Sequence, residues 1–195
     1  FINEPQVEMD PIVRAALVHY QFETAHPFLD GNGRLGRLLI TLILINDGVL
    51  HSCLFYPSFQ FKKNRSEYYR QLTSVRERGT YEEWIEFFCN SLLESAEDSV
   101  GSLKNLVDLH NRSTATITEN LGRTAANGQR LLGILEEHPI VDTAFIAAQL
   151  DIGRSTASSL VKSFEELGIL RPLDESRQRY RQYGYEEYLS ILRED

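Results

Sequence analysis

Twelve consecutive residues, His26 to Arg37 (HPFLDGNGRLGR), carry an imidazole, a carboxylate, three glycines, an amide and two guanidinium groups. Gly31 and Gly33 bracket Asn32, and without β-carbons the backbone there can turn its N–H groups toward one point. A helix predicted to start at about Arg34 adds partial positive charge at the same place, so the turn is a candidate phosphate nest. Arg34 and Arg37 project from neighbouring positions of one helix face and can clamp phosphate oxygens two-pronged. Asp30 would repel a phosphate met directly but suits a Mg²⁺ ion bridging the two. His26 stands four residues ahead of Asp30, and an imidazole can take a hydroxyl proton near neutral pH. The set implies a nucleoside di- or triphosphate with Mg²⁺ and acid–base work beside it.

Other readings of the same residues fit less well. GNGRLG has the GxGxxG spacing, but it follows a predicted helix where a dinucleotide fold has a strand. A Walker loop needs Lys followed by Ser or Thr, which this turn lacks. Glu23 and His26 have the Glu-x-x-His spacing of half a di-iron site, with no second copy in the chain. Phe28 reads as a core anchor fixing the turn to the helices on either side.

Those helices are written in the flanking sequence. Residues 11 to 24 place Ile12, Ala15, Ala16, Val18, Tyr20 and Phe22 at helical spacings, with Asp10 as N-cap and Pro11 at the first position. The nearly unbroken apolar run after the turn predicts a buried helix capped at Gly48. FKKNRSEYYRQLTSVRERG predicts a polar-faced helix stopped by Gly79, and a long helix follows from Tyr81. In that long helix Leu93, Ala96, Val100, Leu103 and Val107 alternate steps of three and four, a seam for another helix of the chain or for a second copy in a homodimer.

Between Asn111 and Gly128 small polar residues replace the periodic pattern, which predicts a first domain over 1–112, a linker over 113–127 and a second domain over 128–195. The second domain reads helix, helix, tight turn, helix, then ILRPL and RYRQYGY as two strands around DESRQ, the pattern of a winged helix-turn-helix. Its third helix offers Arg154, Ser155, Thr156, Ser158, Ser159 and Lys162, and its hairpin Arg171, Arg177, Arg179 and Arg181, residue types suited to phosphate contact and groove entry. Residues 127 to 195 nevertheless hold eight Lys/Arg against twelve Asp/Glu, a net of -4 that weakens nonspecific attraction to DNA. DNA and protein both stand open as its partner.

The 195 residues are 42% hydrophobic and 25% charged, ordinary for one compact domain or two small ones, and the net charge of -8 argues against broad attraction to polyanions or anionic membrane. The apolar run Leu38 to Ile45 is far short of a membrane span, and no export leader is visible, so a cytoplasmic protein is expected. Cys53 and Cys89 have no metal or redox spacing and read as buried thiols in a reducing compartment.

The twelve-residue stretch matches His-x-Phe-x-Asp/Glu-Gly-Asn-Gly-Arg-x-x-Arg, the motif of the Fic family, at every fixed position, and the likeness extends over roughly residues 1 to 110. The resemblance implies a mainly α fold: a Fic-type helical bundle followed by the small winged helix with which longer bacterial members often end. It implies a protein adenylyltransferase that moves AMP from ATP to a Ser, Thr or Tyr hydroxyl of a target protein and releases pyrophosphate. Carried over, His26 is the general base, Asp30 holds Mg²⁺, Gly31, Asn32 and Gly33 form the anion nest, Arg34 holds phosphate and supports the loop, and Arg37 meets the terminal phosphate. NRSEYYRQL and SVRERG resemble the part lining the adenine pocket, which makes Tyr69 and Arg76 candidates there. The resemblance also implies an upstream flap and, in many members, an inhibitory helix; the chain is expected to be a fragment lacking them, or to receive them from another chain. The same site also suits transfer of another phosphate-containing group, or a DNA-binding regulator whose core senses nucleotide.

Overall fold

The structure, a computed structural model, describes residues 9–51, 57–174 and 181–193. It is mainly helical with one small sheet, and it divides into two compact units, residues 1–100 and 101–195.

The first unit holds α1 (Pro11–Ala25), α2 (Asn32–Asn46), α3 (Ser58–Lys63), α4 (Arg65–Arg78) and the first half of α5 (Tyr81–Asn120). Asp10 caps α1 as its sequence predicts, its carboxylate accepting from the N–H groups of Ile12 at 2.8 Å and Val13 at 3.3 Å. Ala15, Ala16, Val18 and Tyr20 of α1 share a core with Ile40, Ile43 and Leu44 of α2, Phe61 of α3, Tyr68, Leu72 and Val75 of α4, and Trp84 and Phe88 of α5. The Trp84 indole N–H, fully buried, donates to the Ala16 carbonyl at 3.0 Å, which joins α5 to α1. Arg14 and Asp47 form an ion pair between the start of α1 and the end of α2.

Left-handed backbone at Gly48 and Gly79 (φ 73° and 71°) ends α2 and α4 where those glycines stand. One expected helix from Phe61 to Arg78 is instead two, α3 and α4, interrupted at Asn64 (φ -101°, ψ 35°). Asparagine competes with the helical backbone, and no periodicity signal marks so short a break. Of the seam residues of α5, Leu93, Val100, Leu103 and Val107 are exposed and Ala96 is half-buried.

The second unit continues with the end of α5, a 3₁₀ turn (Gly122–Thr124), α6 (Ala125–Glu137), β1 (Ile140–Asp142), α7 (Thr143–Leu150), α8 (Arg154–Glu166), β2 (Arg171–Pro172), β3 (Gln182–Gly184) and α9 (Glu186–Arg193). The strands form one antiparallel sheet in the order β1-β3-β2, with Ile140 and Arg171 both opposite Gly184. The two strands flanking DESRQ pair as anticipated, whereas β1 was not foreseen: at three residues it is too short for an alternating pattern to register.

The stretch 113–127, expected as a linker, is helical to Asn120, and Ser113 and Ile117 are buried in this unit's core with Leu109. Leu109, Ser113, Ile117 and Leu121 recur every fourth residue, so one narrow stripe of a mostly polar helix does the packing. Ser113 and Tyr185 share a hydrogen bond at 2.8 Å. Gly128 is required by close approach, since a β-carbon there would lie 2.8 Å from side chains of both Ile117 and Leu121. Among the described residues no helix is long and apolar enough to cross a membrane.

Candidate active site

The His26–Arg37 stretch forms the connection between α1 and α2 and the first turn of α2. His26 is the C-cap of α1 and lies in the left-handed region (φ 44°, ψ 56°), with its N–H donating to the Phe22 carbonyl at 3.0 Å. That conformation costs a β-carbon-bearing residue about 1 kcal/mol, and such strain collects at functional positions. The imidazole is exposed.

Gly31 (φ 82°) is the N-cap of α2, which starts at Asn32, two residues earlier than expected, and no side chain caps this end. The amides of the first turn are therefore left open to an anion. Asn32 is buried and grips the loop: its amide N–H donates to the Phe28 carbonyl at 2.5 Å while its amide oxygen accepts from the Phe28 N–H at 2.9 Å. Phe28, read from the sequence as a core anchor, is half exposed, its ring 6.3 Å from that of Phe22. Its backbone, held by Asn32, is what fixes the turn.

Asp30 is exposed, with one carboxylate oxygen accepting from the Gly31 N–H at 2.6 Å and the other 3.6 Å from an Arg34 guanidinium nitrogen. Both side chains of that pair lie in solvent, 92% and 75% exposed, so the contact is weak and either is free to meet a ligand. Arg37 is different. It is half buried, its Nε donates to Ser58 Oγ at 2.9 Å, and its guanidinium lies against Gly33, where an added β-carbon would come within 3.1 Å of Nη1. No group of three or more His, Cys, Asp or Glu side chains converges as a metal site among the described residues. A single exposed carboxylate beside open amides still fits Mg²⁺, which keeps several waters and takes one or two carboxylates together with phosphate oxygens.

Behind the loop stands a residue that the sequence reading passed over. His19 of α1 is fully buried among Phe61, Tyr68, Trp84 and Phe88. Its Nδ1 is 2.9 Å from the Gly36 carbonyl, which can only accept, so Nδ1 carries the hydrogen and Nε2 accepts from the Tyr68 hydroxyl at 2.9 Å. Burial pushes its pKa down to about 4, with the Gly36 bond opposing and the Arg37 charge assisting. Its place at four residues from Ala15, on the apolar stripe of α1, was the available signal. At Gly36, the third glycine, α1 side chains press close to α2: a β-carbon there would run into the Glu23 carboxylate and lie 3.2 Å from His19 and Phe22 ring carbons. One carboxylate oxygen of Glu23 is buried without a hydrogen-bond partner, and burial raises its pKa against the opposing charges of Arg37 and His26.

Tyr69 and Arg76 both lie exposed on α4, seven residues apart on one face, and the Arg65 guanidinium sits 5.6 Å above the Tyr69 ring. Cys89 is half buried and free; Cys53, Arg177 and Arg179 lie outside the described residues.

Residues 1–44 match the Fic/DOC family profile. "Protein adenylyltransferase fic-1" of Caenorhabditis briggsae is 35% identical over 102 residues, 52% of this chain and 19% of that one. Its namesake in Caenorhabditis elegans is 34% identical over 106 residues, 54% of this chain and 20% of that one. The chain thus spans about a fifth of the length of these curated relatives. Among solved structures, a Fic family protein from Desulfovibrio desulfuricans G20 aligns with a TM-score of 0.47 at 22% identity, covering 92% of this chain and 50% of that one.

Proposed function

We propose that the N-terminal unit is a Fic-type nucleotidyltransferase that moves AMP from ATP to a Ser, Thr or Tyr hydroxyl of a target protein. The observation that carries the reading is the α1–α2 connection itself, an exposed His26 in strained backbone beside an uncapped helix start with a braced arginine over it. The adenylyltransferase names of the relatives point the same way.

In this reading Gly31, whose own N–H is held by Asp30, turns the backbone so that the amides of Asn32 and Gly33, with the Arg34 guanidinium, bind the phosphates, and Arg37 takes the terminal one. Asp30 would hold Mg²⁺, which supplies charge neutralisation along the polyphosphate. His26 takes the proton of the acceptor hydroxyl as that oxygen attacks the α-phosphorus; the bond from the α-phosphorus to the bridging oxygen breaks, and pyrophosphate leaves. Phosphoryl transfer needs positioning and charge stabilisation more than covalent help, and a general base contributes about 10²–10⁴ in rate. Tyr69 and Arg76 are assigned to the adenine. Incubating the chain with labelled ATP, Mg²⁺ and cell lysate tests the reading: AMP adducts that depend on His26 support it, and their absence from a chain that binds Mg·ATP favours the nucleotide-sensing alternative.

The second unit supports a winged-helix reading by its element order α6, β1, α7, α8, β2, β3, and Arg154, Ser155, Thr156, Ser158, Ser159 and Lys162 of α8 are all exposed. Arg171 is exposed and Arg181 half buried. A salt-dependent shift of duplex DNA, lost when Arg154 and Lys162 become alanine, would identify DNA as the partner; none at low salt would favour a protein.

A further inference from the structure

Arginine is a long, mobile side chain, and nothing in its helix position alone fixes where the guanidinium rests. Arg37 is nevertheless held from two sides. Ser58, 21 residues on and at the first position of α3, accepts from Nε at 2.9 Å, and the absence of a side chain at Gly33 makes room for Nη1. Glu23 adds opposite charge nearby. Occupying Nε matters chemically, because it commits the side edge of the guanidinium to protein and leaves the two terminal nitrogens as an end-on fork. An unbraced arginine offers either edge to an anion.

From this geometry we infer that Ser58 is a positioning residue for the phosphate end of the nucleotide: it sets Arg37 over Gly33 so that the end-on fork faces the open amides of α2. The inference rests on the nucleotide reading above and extends it to a residue outside the His26–Arg37 stretch. Ser58 itself touches no phosphate. Its effect should therefore pass entirely through Arg37 and act on the polyphosphate, with or without a nucleoside attached.

The test is a double-mutant cycle on the 195-residue chain, with affinities for Mg·ATP and Mg·tripolyphosphate measured by calorimetry. Ser58→Ala is expected to weaken both ligands by a similar factor, about five- to tenfold, the worth of one ordinary intramolecular hydrogen bond. Arg37→Ala should weaken both further, and adding Ser58→Ala to it should change nothing more. Ser58→Thr should restore binding. Should Ser58→Ala prove unstable, Ser58→Thr and Ser58→Val make the same comparison, since that pair is isosteric and differs only in the hydroxyl. Equal penalties for losing the hydroxyl in the presence and absence of Arg37, or no penalty with Arg37 present, would overturn the inference while leaving the nucleotide reading intact. If Arg37→Ala leaves Mg·ATP affinity unchanged, the nucleotide reading falls and the inference with it.

Discussion

His19 makes the stability of the first unit depend on pH in a way that can be worked out in advance. Its ring is fully buried, and its pKa is held at about 4 against an ordinary 6.5. Between those values the unfolded chain binds a proton on His19 that the folded chain does not, so stability rises with pH across the window and is lost as pH falls from 6.5 toward 4. At about 1.4 kcal/mol per pH unit the loss comes to ~3 kcal/mol, a large part of the 5–15 kcal/mol typical of a domain. The assay is urea unfolding in steps from about pH 7.5 to about pH 4, compared with His19→Gln, whose amide does not titrate. Trp84, the one tryptophan in the chain, stacks 6.1 Å from the His19 ring, so its fluorescence reports this unit directly. Carboxylates that titrate in the same range cancel in the difference between the two proteins. The wild type should lose ~3 kcal/mol more than the variant; parallel curves, or an NMR titration of His19 near the ordinary imidazole value, would refute the reasoning.

Three further outcomes follow from the loop and its supports. His26→Ala should reduce AMP transfer by about 10²-fold or more while calorimetry shows Mg·ATP binding within about twofold, and comparable turnover would defeat its role as base. Gly36→Ala gains about 1 kcal/mol of helix propensity but crowds a His19 ring pinned by two hydrogen bonds; a net loss of ~1 kcal/mol in urea unfolding is expected, and a net gain would show that α1 and α2 yield. Glu23 has a raised pKa, so the folded state binds more protons and stability falls as pH rises above about 4.5. Glu23→Gln should therefore raise the urea midpoint at pH 7, with the gain vanishing as pH falls below the ordinary carboxylate value of 4.5; a gain that persists in acid would place its origin elsewhere.

What the sequence made legible was local. Asp10 and Pro11 marked the start of α1, Gly48 and Gly79 marked ends that need left-handed backbone, and His26, Asp30 and the glycine pair fell together because they are contiguous. Residues that act across distance were not visible. Ser58 reaches Arg37 from 21 positions away and stands in a stretch with no periodic signal, while nothing local to His19 announces its bonds to Gly36 and Tyr68. Phe28 was misplaced for the related reason that burial depends on what covers a ring, whereas the Asn32 grip on its backbone is a property of the turn. In the second unit α6, α7 and α8 announced themselves, but α9 and the last turns of α5 did not, and β1 exists only because β3 lies beside it.

The ties that bind α1 to α2 span ever longer stretches of chain: four residues from Phe28 to Asn32, 17 from His19 to Gly36, 33 from Arg14 to Asp47. Each shorter closure brings the ends of the next one nearer, so the entropy lost on making the wider contact has already been met in part by the narrower. Assembly of this hairpin is then cheapest from the tip outward. The candidate catalytic turn, instead of waiting for a finished scaffold to shape it, would be among the earliest pieces to form.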